Sequence, residues 1–188
     1  MNGEQLKAWL DGFSNNLADG TQAERKLLRI AVDVSEGTGS PLWQILGKDI
    51  ESSDMETNPD TQSKSDILGN TTTRVNKFEI SQTLDPFTVE KGSELHDILL
   101  KKLLRNAKSE FSQFNIMVMY GWLSDTNGNI YAEIHKNSTI IPTKIGGDAY
   151  VDMPITATLS NNKTYGTVKD LDSPVFAEAT ATANTETE

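Results

Sequence analysis

The apolar positions of this chain change their period several times. Near the N-terminus, Leu6, Trp9, Leu10, Phe13 and Leu17 recur every three or four residues, which predicts an amphipathic helix over 2–18 that stops at Gly20. Such a helix either packs on its own domain or serves as a terminal arm that docks on a neighbour. From 27 to 35 the period falls to two. Leu28, Ile30, Val32 and Val34 share one face, with Arg29, Asp33 and Ser35 on the other, as in a half-buried strand. Gly37, Gly39 and Pro41 break it, and a short strand over 42–46 follows.

Over 51–73 the side chains are nearly all Ser, Thr, Asn, Asp, Glu and Gln, with Met55, Ile67 and Leu68 as the apolar exceptions. No period survives, which predicts a long polar loop, a rare thing inside a domain unless it is functional or disordered. Alternation resumes over 74–83, with Phe78 and Ile80 opposite Val75, Lys77, Glu79, Ser81 and Thr83, and Asp85-Pro86 ends it. A second helix is predicted over 93–108. Ser93 suits its N-cap, Glu94 and Asp97 its first turn, and Lys101, Lys102, Arg105 and Lys108 its end, an order that complements the helix dipole. Leu95, Ile98, Leu99, Leu103 and Leu104 form its apolar face. The basic outer face is either a solvated surface or an acid-binding patch.

The remainder is strand. Residues 113–123 are apolar on both faces, as in a central strand. They meet a strand over 129–136 through Asp125-Thr126-Asn127-Gly128-Asn129, whose Asn-Gly pair suits a type I′ turn. Over 148–159, Ala149, Val151, Met153, Ile155, Ala157 and Leu159 alternate with Asp148, Tyr150, Asp152, Thr156 and Thr158. Asn161-Asn162 turns the chain into a last strand over 163–169, and 171–188 reads as a disordered acidic tail. The fold class is therefore mainly β (α+β): a β-sandwich of two packed antiparallel β-sheets, or one strongly bent sheet, flanked by one α-helix, with a terminal helix and a long loop. The organisation is a helix or arm over 1–20, a β-domain over 27–170 carrying the 51–73 loop, and the tail.

Composition narrows the function. The chain of 188 residues suits one domain with tails, and its 36% hydrophobic content leaves part of it unpacked. A formal charge of −10, from 27 acidic against 17 basic residues, argues against tight nucleic-acid binding. It leaves room for a wall that DNA slides past without sticking, if the acids face the DNA. There is no cysteine for a disulfide or thiolate site. The opening Asn2, Gly3, Glu4 and Gln5 do not read as a signal peptide, and no apolar run is long enough to span a membrane.

The search for chemistry ends without a catalytic residue, a metal site or a cofactor. Asp125-x-Asn127-x-Asn129 echoes a calcium loop, but its glycine is in the fourth place and Lys136 stands in the twelfth. His96 and His135 are too far apart for zinc spacing and are expected at the surface or rim. No nucleophile elbow occurs, and Gly37-x-Gly39 lacks a third glycine. The acid pairs Asp49/Glu51 and Asp54/Glu56 sit in a polar run with no apolar pocket to shift them. Asn137-Ser138-Thr139 matches a glycosylation acceptor without a secretory signal. What remains is a non-catalytic building block with long excursions suited to assembly.

The order of features resembles the major tail (tail tube) proteins of siphophages from Gram-positive hosts. A Trp-containing strand, Leu42-Trp43-Gln44-Ile45-Leu46-Gly47-Lys48-Asp49, leads into the acidic run Glu51-Ser52-Ser53-Asp54 and on through Asn58-Pro59-Asp60 to Asp66-Ile67-Leu68-Gly69. The strand Phe78-Glu79-Ile80, the basic helix, a hairpin and the strand entry Ile145-Gly146-Gly147-Asp148-Ala149-Tyr150 complete the pattern, over about 27–170. The resemblance implies a tail-tube-like β-sandwich whose copies form hexameric rings, with inner strands joined into a barrel. The rings would stack into a hollow conduit for DNA ejection in the virion tail, assembled in the bacterial host cytoplasm. It implies inter-ring contacts from the long loop at Glu51, Asp54, Glu56, Asn58 and Asp60. Glu79, Asp148 and Asp152, with Lys77 as the opposite charge, are candidates to face the lumen or, on the other reading, outer solvent. Implied partners are further copies, a tape measure protein, tail terminator and baseplate proteins, and passing double-stranded DNA without tight binding. No membrane is implied. The N-terminal helix lies outside the shared pattern. The alternative is a monomeric β-sandwich binding or virion-decoration module, which would display exposed aromatics. Trp9 and Trp122 read as helix-face and strand-core residues, which leaves Trp43 open.

Overall fold

The structure, a computed structural model, describes residues 1–48 and 50–180. Asp49 of one acid pair and residues 181–188 of the expected tail lie outside the described residues. In chain order come α1 (Gly3–Leu10), β1 (Ser14–Asn15), β2 (Leu28–Asp33), β3 (Trp43–Leu46), β4 (Ser52–Glu56), β5 (Pro59–Ser65), β6 (Thr71–Phe78) and β7 (Ile80–Asp85). Then follow α2 (Glu94–Leu104), β8 (Phe114–Ser124), β9 (Ile130–Pro142), β10 (Ile155–Leu159), β11 (Lys163–Val168) and β12 (Ala177–Glu178). The chain is mainly β, as its alternation predicts. The main hydrogen-bonded order is β3-β2-β8-β9-β10-β7-β4, and β5-β6 forms a separate ribbon. Two compact units result among the described residues: Met1–Leu46 with Ile116–His135 and 163–180, and Gly47–Asn115 with Lys136–Asn162. The first half of β9 belongs to one and its second half to the other.

In the first unit, β2 lies between β3 and β8, with Ile30 opposite Val118, Ala31 opposite Met117 and Val32 opposite Ile116. All six are buried, so β2 is covered on both faces instead of one. Ala31, Met117, Met119, Ala132, Ile134 and Val168 form a cluster, with Trp43, Leu171 and Phe176 among the residues packed around it. Trp43 is thus part of the core, which removes the one ambiguous tryptophan. Leu171 and Phe176 also correct the reading of a tail disordered from 171. They dock on the cluster, and β12 pairs with β11 at Gly166↔Glu178 and Thr167↔Ala177. A Cβ at position 166 would stand 2.3 Å from the Ala177 carbonyl oxygen, so only glycine lets the two strands approach this closely.

The predicted N-terminal helix is shorter than its periodicity. α1 is held by a capping box in which Asn2 and Gln5 exchange backbone and side-chain bonds, both 2.9 Å, and it ends at Leu10. Beyond Gly12 the chain turns extended, and Ser14 and Asn15 pair with Ser124 and Leu123. No residue of α1 is buried. The rings of Trp9 and Phe13 instead fasten the segment to Tyr131, at centroid distances of 5.7 and 5.5 Å.

In the second unit, β7 pairs with β4 on one side and β10 on the other, and the second half of β9 pairs with β10. β10 begins only at Ile155, so the long alternating strand expected from 148 is cut. Pro154 has no N–H to give a ladder, and Gly146 and Asp152 close the preceding residues into a loop through two 3.0 Å backbone bonds. α2 buries Leu95, Ile98 and Leu99 as predicted, but also His96 and Lys102, while Leu103 and Leu104 are exposed. It stops before Lys108 because Asn106 adopts a left-handed conformation (φ 54°). The Asn106 and Ala107 N–H groups donate back to Leu103 and Lys102 carbonyls in a Schellman arrangement. Lys102 is therefore not part of a basic outer face. Its stem is buried and its Nζ stands 4.8 Å over the Phe114 ring and 3.8 Å from the Glu110 carboxylate. Among the described residues, no helix is long and apolar enough to cross a membrane.

Candidate functional site

The polar run expected to be a loop is a long β-hairpin. Its base is β4 paired with β7, from Ser52↔Asp85 to Glu56↔Ser81, and its distal part is the β5-β6 ribbon, from Pro59↔Phe78 to Ser65↔Thr71. The two parts meet at Asn58 (φ 30°), whose amide donates to Ser81 Oγ at 2.9 Å and whose carbonyl accepts from the Glu79 N–H. The strand predicted over 74–83 breaks at this junction. A register shift after Asp60 leaves Asn76 as the extra residue of a bulge. Polar residues form these strands through cross-strand pairs: Ser63 with Thr73 at 2.9 Å, Ser65 with Thr71 at 3.0 Å, and Asn76 donating to Asp60 at 3.2 Å. Alternation was invisible because residues 56–79 are all exposed, so neither ribbon face is apolar.

A different signal marks the hairpin. Its turn, Asp66-Ile67-Leu68-Gly69-Asn70, repeats the Asp-x-x-Gly-Asn pattern of Asp125-Thr126-Asn127-Gly128-Asn129. The geometry repeats as well. The Asp66 carboxylate accepts from the Leu68 and Asn70 N–H groups and the Asn70 amide, each at 2.9 Å; that of Asp125 accepts from Asn127, Asn129 and the Asn129 amide at 2.8, 2.9 and 2.7 Å. The Asn70 and Asn129 side chains are the main reason that both carboxyls are held below the usual range. Positive φ falls on Gly69 (83°) and Gly128 (77°). Asn127 has no positive φ, so the 125–129 turn is a three-residue loop ending in a left-handed glycine and not the expected type I′ turn. The turn also engages both Asp125 oxygens, which explains the residues of the calcium-like spacing.

The five residues expected to contact a neighbouring ring follow one line of chain. Glu51 precedes β4, Asp54 and Glu56 lie exposed on β4, Asn58 sits at the junction, and Asp60 bonds Asn76 on the ribbon. β4 ends the order of the described strands. Farther out, Gln62, Lys64, Thr72 and Arg74 help line a polar groove of about 430 Å³. At the turn, Ile67 and Leu68 are 102% and 82% exposed. As the apolar exceptions of a polar run they were visible in the sequence, but without a hairpin nothing placed them at its tip.

The four lumen candidates fall into two groups. Lys77 and Glu79 form an ion pair at the inner end of the ribbon, and Glu79 holds the Lys77 ammonium above its ordinary range. Asp148 is exposed in the 146–152 loop, and Asp152 accepts from Thr88 Oγ1 at 2.8 Å. In the β7-β10 register, Ile80 faces Leu159 and Leu84 faces Ile155. Glu79 thus adjoins one end of β10 and Asp152 precedes the other, separated by about 17 Å of strand.

The densest polar cluster escaped the sequence reading. Glu133 on β9, 4% exposed, accepts from Tyr120 (3.2 Å), Tyr131 (3.1 Å), His135 (3.1 Å) and Lys163 (3.1 and 3.2 Å). Burial pushes its carboxyl up, but the His135 bond and the Lys163 charge outweigh that and hold it at about 2. Burial, with the Glu133 charge, pushes both tyrosines up. Residues 131, 133 and 135 share a face of β9, while Tyr120 and Lys163 arrive from β8 and β11. A carboxylate so saturated and so acidic is a clamp between strands and a poor proton donor or acceptor near neutrality.

His96 and His135, expected at the rim, are both buried, His135 within this cluster. His96 stacks on Phe87 at 3.8 Å, and neither ring nitrogen has a hydrogen-bond partner. Burial pushes its pKa down against the weaker opposing pull of the Phe87 backbone, Glu90 and Asp97. The folded state therefore binds fewer protons than the unfolded one. Stability is fully present above the ordinary value of 6.5 and falls as pH drops from there towards the lower folded value. His96→Phe should remove this slope and raise stability at pH 5, since it keeps the stack and deletes the ring whose charged form burial disfavours. Urea titrations at pH 8 and pH 5 check both; an unchanged slope would place the acid sensitivity elsewhere.

No protein-family model and no curated protein matches the chain. Among solved structures, it is similar to a chain of the sheath-tube complex of an extracellular contractile injection system, PVC, in its extended state. The identity is 15% over 80% of this chain and 95% of that one, with a TM-score of 0.47. A chain of the anti-feeding prophage tube-terminating cap matches at 13% identity over 81% and 96%, with a TM-score of 0.46. A chain of the anti-feeding prophage baseplate matches at 11% identity over 77% and 96%, with a TM-score of 0.48.

Proposed function

We propose that this chain is a non-catalytic structural protein of a phage tail, whose copies form hexameric rings that stack into a tube for DNA ejection. The observation that carries this reading is the ribbon. Residues 56–79 are exposed on both faces, and a two-stranded ribbon alone in water is at best marginally stable. Such an extension suits a surface on another copy. β3 and β4 stand at the two ends of the order of the described strands, positions that suit pairing with further copies around a ring. In this arrangement Glu51, Asp54, Glu56, Asn58 and Asp60 serve contacts between rings. Glu79, Asp148 and Asp152 lend negative charge to a wall that repels DNA, and Lys77 is offset by its bond to Glu79. The order of features shared with siphophage tail tube proteins supports the same reading. Tape measure, terminator and baseplate proteins would then be its partners in the virion.

A monomeric binding module is the rival. Phe78 and Tyr150 favour it, as exposed aromatics of the second unit, while Trp43 no longer does. Sedimentation velocity and negative-stain microscopy over a rising concentration series separate the two. Rings or tubes are the expected result, and a single-copy species at every concentration would overturn the proposal.

A further inference from the structure

Between β7 and α2 the chain forms a short strap over 86–93 that is fastened at few points. The Val89 N–H donates to the Val151 carbonyl and the Phe87 carbonyl accepts from the Met153 N–H, both at 2.8 Å. Thr88 Oγ1 donates to Asp152 at 2.8 Å, and Glu90 takes an exposed ion pair from Lys48. Of residues 86–93 only Phe87 is buried. Its ring lies on the imidazole of His96, with centroids 3.8 Å apart and planes inclined by 28°. A segment with so few buried contacts opens at less cost than the sheet beside it.

We infer that this strap is an acid-released latch: protonation of His96 breaks the stack on Phe87, and the strap lifts while the sheet beside it stays folded. Two independent features make His96 a poor place for a charge. The ring is 3% exposed and neither nitrogen has a hydrogen-bond partner among the described residues, so an imidazolium there would lose water without gaining an acceptor. It is also the third residue of α2, where the helix dipole disfavours a cation. Glu90 on the strap and Asp97 on α2 pull the other way, and neither bonds a ring nitrogen. Of the other charges nearby, Glu94 opens the same helical turn, Lys48 is engaged by Glu90, and Asp152 accepts from Thr88. Lifting Phe87 uncovers one face of the imidazole, so acid favours the state in which the ring meets water. The latch works within a single copy, whatever the copies assemble into.

Amide hydrogen exchange of the full chain at low concentration, between pH 8 and pH 5 and corrected for intrinsic rates, tests the latch. The reporters are the Val89 and Met153 N–H groups, whose bonds the strap must break to lift, against the amides of the β7-β10 ladder. In the parent chain the opening constant of the reporters should rise below pH 6.5, towards a ceiling of about thirtyfold at pH 5 set by one proton. The ladder amides should show no such rise. In His96→Phe, which keeps a stacked ring and cannot take the proton, the reporters should lose their pH dependence. An equal rise in the ladder would mean that the whole unit opens, and a strap indifferent to pH would mean that His96 does not trigger it; either overturns the latch. So would a pH dependence that survives His96→Phe. If that variant does not fold, the parent's reporters and ladder decide the matter by themselves.

Discussion

Replacing Glu133 by alanine is expected to lower the stability of the fold by about 3–5 kcal/mol. The loss exceeds that of an ordinary truncation because the partners stay behind. Lys163 loses its counter-charge, the fully buried His135 loses its bond to the carboxylate, and the Tyr120 and Tyr131 hydroxyls lose this acceptor. Lys163 is 23% exposed and can turn to water, which favours the lower end of the range. The urea midpoint should fall with an unchanged slope, since the surface exposed on unfolding is nearly the same. The effect is also a pH effect. The folded carboxyl sits at about 2 against an ordinary 4.5, so between those values the unfolded chain binds more protons. The contribution is complete above 4.5 and is lost as pH falls through 2. It amounts to about 3 kcal/mol. Glu133→Ala should therefore be destabilised at pH 7 but lose less than the parent chain on acidification to pH 2. Equal losses would show that the cluster is not the acid-sensitive clamp. A control is available in the Lys77–Glu79 pair, which is exposed, so Glu79→Ala should leave the midpoint where it is.

Shortening the ribbon should have the opposite signature: no loss of folding and a complete loss of stacking. Removing residues 61–65 together with 71–75 joins Asp60 to the Asp66–Asn70 turn and the turn to Asn76, with both strands cut equally. No buried side chain is removed, so the unfolding free energy should stay within about 0.5 kcal/mol of the parent's. Assembly beyond a single ring should disappear in the microscope. A cut confined to the 51–66 side would be a poorer experiment. It removes β4, whose pairing with β7 includes the bond from the nearly buried Gln82 to Ser53, and leaves one ribbon strand unpaired. If the symmetric variant fails to fold, the ribbon belongs to the folding unit. If it stacks like the parent, the ribbon is not the stacking element.

The sequence was legible where one face of an element is buried. The strand at 28–33, the central β8 and the end of β10 follow from alternation or from continuous apolar runs, because burial selects the side chains on a face. It was illegible where burial does not act. The β5-β6 ribbon has no buried face, so its order comes from Ser/Thr and Asn/Asp pairs across strands and from an Asp-x-x-Gly-Asn turn, local chemistry that a periodicity search ignores. It misled where a period outlasted its element. Phe13 and Leu17 continue the spacing of α1, yet the chain leaves the helix after Leu10 to pair with β8.

By itself the sequence determined the mainly-β class, the apolar strands, the central helix and the acidic balance, since these depend on side-chain type and near-neighbour spacing. The Glu133 cluster, the burial of both histidines and Lys102, the docking of Leu171 and Phe176, and the placement of Ile67 and Leu68 at the end of a ribbon were decided only in three dimensions. All but the last depend on partners brought together from different strands, and no spacing along the chain encodes which strands become neighbours; the last depends on the cross-strand pairs that make a ribbon of the polar run.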